Sequence, residues 1–165
     1  MTYNPPPLPG KISADYFQAL AIAKTADVNV DQDRSVFFSG TRNRRKAVSF
    51  CRMQDTQNEN FKTILDTQAW RKLVQHDFIT RDSLFLSEDK FALRDIVCRR
   101  FSEQASGNVT AFINPQRPFG TFFRIELPIL LANDKVQTIN DEPKEAYRPL
   151  VPSQETDTID YNNDL

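Results

Sequence analysis

Cysteine, histidine and glycine are all scarce: the 165 residues hold two cysteines, one histidine and four glycines. Cys51 and Cys98 are too few and too far apart for a disulfide framework or a cysteine-rich zinc site, so no metal is expected. The single His76 has no serine or cysteine pattern near it that would make a catalytic triad, and it reads as a surface or helix-end residue. Neither GxxxxGK[ST] nor GxGxxG occurs, and HExxH and paired CxxC motifs are also missing. No stretch approaches the ~18 consecutive apolar residues of a membrane helix. The N-terminus lacks a basic start followed by an apolar run, so it does not read as a secretory signal. These absences lead to the expectation of a cytoplasmic protein with no membrane partner. The net charge of −1 gives no case for a general nucleic-acid binder.

What is present is enough apolar material for one core. Hydrophobic residues make up 39% of the chain and thirteen residues are Phe. The length suits one domain and is short for two. Residues 1–12 contain Pro5, Pro6, Pro7 and Pro9 and read as an extended arm. Residues 13–140 read as the single α/β domain, and residues 141–165 as an acidic, disordered tail. Charge is uneven. Arg42, Arg44, Arg45, Lys46 and Arg52 form a basic cluster, which fits phosphates, RNA or the acidic tail of the same chain.

The pattern along the domain is helix, strand, helix, strand, helix, helix, strand, strand. Ser13 or Asp15 starts a helix with Tyr16, Phe17, Leu20, Ile22 and Ala23 as its apolar side. Residues 35–40 read as a strand and turn, and 42–53 as a helix with its arginines outward. Residues 63–67 read as a second strand, 69–78 as a helix, and 87–105 as a longer helix stopped by Ser106-Gly107-Asn108. Residues 109–113 read as a strand, and 121–127 as another that Pro128 ends. Strands separated by helices predict a small, mainly parallel sheet of about four strands with helices around it.

Several side chains carry chemistry on this reading. In a strand over 121–127, Phe122, Arg124 and Glu126 share one face, which puts Glu126 at a cleft as a candidate acid, base or cation stabiliser. It could equally be a solvent-facing carboxylate paired to Arg124. Asp66 and Thr67 end a predicted strand, where α/β folds gather ligand-binding loops. Asp66 could hold a ribose hydroxyl or cap the next helix. Trp70 could stack on a ligand ring or lie in the core. Phe37 and Phe38 point to opposite sides of their strand, leaving one for a pocket. Arg42, Arg44 and Arg45 open a helix after Ser39-Gly40-Thr41, a natural phosphate position, or they form a solvated basic face.

The order of these motifs resembles the ADP-ribosyl cyclase family of animal NAD-consuming ectoenzymes and related bacterial toxin domains. Val36-Phe37-Phe38-Ser39-Gly40, Thr63-Ile64-Leu65-Asp66-Thr67, Val97 to Ala105 with its RRFSEQA, Phe119-Gly120 and Glu126 follow the family's LWSR, TLEDT, SRRFAEAA and FGSVE stretches. The resemblance covers roughly residues 35–130. It implies an ADP-ribosyl cyclase-like α/β fold in which Glu126 stabilises a ribosyl oxocarbenium ion as nicotinamide leaves. Phe38 then takes the place of an aromatic flanking nicotinamide, and Ser39 lies by the phosphates. Asp66 matches the TLEDT aspartate, and Cys98 sits where the family has the serine of SRRF. Leu65 stands where the family has a glutamate that influences cyclisation against hydrolysis, and three extra residues separate Phe119-Gly120 from Glu126.

The implied activity is hydrolysis of NAD or NADP to ADP-ribose and nicotinamide, with the dinucleotide as substrate and no separate cofactor. A role as a toxin or defence effector follows, with a cognate inhibitor or immunity protein as partner. The main alternative is a non-enzymatic interaction or immunity-type module using the basic helix and the acidic tail. A small nuclease toxin using the basic cluster on RNA is weaker, because no His/Glu/Lys set accompanies it.

Overall fold

The computed structural model describes residues 10–152, with side chains from Ala14 onward. Residues 1–9 and 153–165, which hold most of the expected proline arm and half of the expected tail, lie outside the described residues. The first helix, α1 (Gly10–Thr25), begins before Ser13, so Ser13 and Asp15 lie inside it rather than capping it. Ala19 and Ala23, one turn apart, are fully buried, and their small side chains let the helix sit close to its neighbours.

The sheet has four strands in the order β1 (Val36–Phe38), β2 (Gly107–Phe112), β3 (Val136–Ile139) and β4 (Glu142–Pro143). The pairs β1–β2 and β2–β3 are parallel and β3–β4 is antiparallel, so the sheet is small and mainly parallel. Parallel neighbours need long crossovers. The one between β1 and β2 carries α2 (Gly40–Asp55), α3 (Gln68–Gln75) and α4 (Ser87–Gln104). Val36 points to one face, where it packs with Ala47 and Cys51 of α2. Phe37 points to the other, into the main core with Phe101 of α4 and Phe122. Both sheet faces are therefore covered. Burial, with Asp66 and Asp55 nearby, pushes the Cys51 thiol up to about 12, which leaves it a neutral packing group at physiological pH. No helix among the described residues is long and apolar enough to cross a membrane.

Three expected elements differ. Residues 63–67 do not form a strand: Ile64–Asp66 is a 3₁₀ turn. Thr63 and Asp66 close a capping box, the Asp66 carboxylate accepting from the Thr63 N–H at 2.9 Å and the Thr63 hydroxyl accepting from the Leu65 N–H. Residues 121–127 are not a strand either. Phe122–Glu126 forms a π-helical turn that runs directly into α5 (Leu127–Ala132), with Pro128 in the first turn of that helix. Proline is tolerated there because those N–H groups have no helical acceptor. Strand alternation would expose every second residue, but Phe122, Phe123, Ile125, Glu126 and Leu127 are all buried. The third difference concerns residues 141–152, expected in an unstructured tail. They form β4 and a 3₁₀ segment, Lys144–Leu150, whose Tyr147 and flanking Leu150 and Val151 pack on the core.

The ladder between β2 and β3 is finished by a side chain. Asn140, with φ of 51°, donates from its amide to the Ala111 carbonyl at 2.9 Å and accepts from the Ala111 N–H at 2.8 Å. At the other end of β2, Gly107 has φ of 74°, and a Cβ there would collide with the Asp33 carboxylate. That carboxylate accepts from the Asn108 N–H at 2.6 Å, so it cannot move aside freely. Gly107→Ala is expected to cost about 1–3 kcal/mol of stability from the backbone strain alone, read as a lower urea midpoint with an unchanged slope.

Candidate active site

The site is a cavity of about 70 Å³ at the C-terminal end of β1, where Phe38 gives way to Ser39 and the start of α2. Carboxyl ends of parallel strands are where open α/β sheets bind ligands, because the chain turns away there and leaves a crevice. The volume exceeds the ~10–15 Å³ minimum for one water, so the cavity is large enough to be hydrated. Its walls are largely aromatic: Phe38 from β1, Trp70 from α3, Phe91 from α4 and Phe122 from the π turn. Leu65, from the 3₁₀ turn, adds an aliphatic side.

Polar groups enter from three directions. Glu126 comes from the end of the π turn and is only 6% exposed. Asp95, Arg94 and Cys98 come from α4, and Arg44 from the first turns of α2. Arg94 is fixed from behind, donating from Nη2 to the Ile79 carbonyl at 2.6 Å. Asp95 lies 3.9 Å from Nη2 of Arg124, which stands on the same π turn as Glu126. A π turn accommodates one more residue per turn than an α-helix and often occurs at functional sites. Here it buries Phe122 and Phe123 on α4 and the sheet while still bringing Glu126 to the cavity.

Of the residues singled out in the sequence, Glu126, Phe38, Ser39, Trp70 and Cys98 line this one cavity. Phe37 is 2% exposed in the core and Phe38 is half-buried, the division that strand geometry predicts. Arg42 and Arg45 do not line it; they are exposed elsewhere on α2, and Arg44 lines it instead. Successive helical residues diverge by about 100°, so one of three close arginines faces any given cleft.

Asp66 and Thr67 are also absent from the lining, and both are occupied structurally. Asp66 closes the capping box and lies 3.7 Å from Arg71. Thr67, 3% exposed, caps α3 by accepting from the Trp70 N–H and donates to the Ile64 carbonyl at 2.6 Å. His76 is an exposed C-cap of α3 whose ring stacks on Phe78. Sequence reasoning missed Asp95. The signal was available in α4, where Phe91, Arg94, Asp95 and Cys98 recur at a spacing of three to four and so share one helix face. Among the described residues there is no group of three or more side chains able to hold a metal ion.

The fold is similar to that of an ADP-ribosyl cyclase crystallised with N1-cIDPR, with a TM-score of 0.50 and 14% identity over 77% of this chain. The match spans 62% of that cyclase, so this chain covers less than two thirds of its length. The Aplysia cyclase complexed with substrate NGD and product cGDPR has a TM-score of 0.47 and 13% identity, again over 77% of this chain and 62% of that one. The chain has an ADP-ribosyl cyclase-like α/β fold, as the motif order implied. No family model matches it, and no curated protein does either.

The two displaced candidates give a direct test. Thr67→Ala is expected to lower stability by about 0.5–2 kcal/mol through loss of the α3 cap, measured by urea unfolding. Asp66→Asn should fall in the same range by weakening the capping box, with ligand affinity at the cavity unchanged in both variants.

Proposed function

We propose that the protein is an NAD(P)⁺ glycohydrolase that cleaves the bond between nicotinamide and ribose. The observation that carries this reading is Glu126, a buried carboxylate facing an aromatic-lined cavity at the end of a parallel strand. The pyridinium of the substrate is already a good leaving group. The protein's task is to hold the ring, exclude bulk water and place negative charge beside C1′ as cationic character develops there. Phe38, Trp70 and Phe91 supply flat walls for the ring. Arg44, at the opening of α2, is positioned to meet a phosphate outside the cavity, where guanidinium and helix N–H groups converge. Leu65 puts an aliphatic group on the wall and favours hydrolysis over cyclisation. In this reading the protein acts as a toxin or defence effector in the cytoplasm, and an inhibitor that covers the cavity mouth is its natural partner.

The reading is tested by incubating the protein with NAD and with NADP and resolving the products by chromatography. Nicotinamide and ADP-ribose, or its phosphorylated form, should appear in equal amounts. Glu126→Gln should slow release by roughly 10²–10³-fold, the loss typical of removing one preorganised charge-stabilising group. Absence of nicotinamide release by the wild type rejects the proposal. Leu65→Glu is expected to raise the share of cyclic product in the same assay, and an unchanged product ratio removes Leu65 from the account.

A binding-module reading is favoured by one feature, the exposed Arg42, Arg45 and Lys46 on α2, which take part in none of the ion pairs found among the described residues. In that case Glu126→Gln changes nothing, and Arg45→Glu with Lys46→Glu abolishes capture of an acidic partner.

A further inference from the structure

The cavity holds two carboxylates, and the reaction as stated uses one. Glu126 is 6% exposed, deep in the π turn. Asp95 lines the same cavity from α4, and its side chain keeps 27% of its exposure, so it borders both the cavity and solvent. Arg124 on the π turn lies 3.9 Å away, close enough for charge attraction but too far for a hydrogen bond. Glycoside hydrolases commonly use two carboxyl groups, and in the inverting ones one protonates the leaving group while the other activates a water. Departure of neutral nicotinamide needs no acid, which leaves activation of water as the remaining task. The remaining 3₁₀-turn lining, Ile64 and Leu65, offers no side-chain base.

Resting on the glycohydrolase reading, we propose that Asp95 is the general base that positions and deprotonates the attacking water. The electron pair of the C1′–N bond leaves with the ring nitrogen and cancels its positive charge. The water oxygen bonds to C1′, its proton passes to the Asp95 carboxylate, and Asp95 returns that proton to solvent. Glu126 stabilises the cationic sugar and Asp95 serves the nucleophile. The split matches their exposures, because the water must come from the open side.

The experiment compares wild type, Asp95→Ala, Asp95→Asn and Glu126→Gln on NAD, each with and without sodium azide. Azide is a nucleophile that needs no deprotonation. Loss of a general base is expected to slow hydrolysis by roughly 10²–10⁴-fold. In Asp95→Ala, azide should restore nicotinamide release and yield ADP-ribosyl azide, identified by mass. Glu126→Gln should not be rescued. Asp95→Asn preserves the side-chain shape, so a slow enzyme with native circular dichroism separates lost base chemistry from lost packing. Near-wild-type hydrolysis by either Asp95 variant overturns the assignment, as does a slow Asp95→Ala that azide fails to rescue. A wild type that releases no nicotinamide rejects the glycohydrolase reading itself, whereas an active wild type with an unrescued variant rejects only the role of Asp95.

Discussion

The contact of Phe37 with Phe101 and Phe122 is the constraint on which the rest of the molecule is arranged. The ring centroids lie 5.1 Å and 6.0 Å apart, and the three rings belong to β1, α4 and the π turn. Aromatic groups of this size carry a large share of core burial, and tilted contacts at these distances suit their quadrupoles. The same three elements supply Phe38, Asp95 and Glu126 to the cavity. The rigid side of each element is its core face, and the chemical side faces the crevice. A site assembled in this way takes its precision from the packing behind it.

The parts of the fold legible in sequence were those with enough length to show a period. The helices α2, α3 and α4, and the strands β1 and β2, fall where spacing and turn residues put them. The segments 63–67 and 121–127 did not, for a common reason. Each is a short apolar run, and a run of five to seven residues fits a buried strand and a buried helical turn equally well. At 63–67 the Thr-x-x-Asp spacing was the better guide, since it describes a capping box. At 121–127, strand alternation sets Phe122, Arg124 and Glu126 on one face, whereas the π turn buries Phe122, Phe123, Ile125, Glu126 and Leu127 together. The strand β3 carries no sequence period, because Gln137 and Thr138 separate its two buried ends, Val136 and Ile139.

Legibility of the site follows the same physics. Glu126 reaches the cavity from a π turn as it would from a strand, because residues on both kinds of element can face one cleft. Phe38 with Ser39, Trp70 and Cys98 meet it from three separate places in the chain. Asp66 and Thr67 are drawn away by backbone N–H groups that need acceptors at a helix start. Arg44 rather than Arg42 or Arg45 faces the cavity through helix phase, which boundaries good to a residue or two cannot resolve. Asp95 was hidden inside a helix read only for its apolar stripe.

The exposed cations of α2 have a consequence for kinetics rather than affinity. Arg42, Arg45 and Lys46 are exposed on the same helix from which Arg44 enters the cavity lining, on a chain whose net charge is close to zero. A field this local cannot act across the whole surface, but within a Debye length of about 8–10 Å it biases the final approach of an anion. An incoming polyanion would be turned toward the opening before any contact forms. Capture would therefore slow with ionic strength while the events inside the cavity, shielded by its aromatic walls, would not.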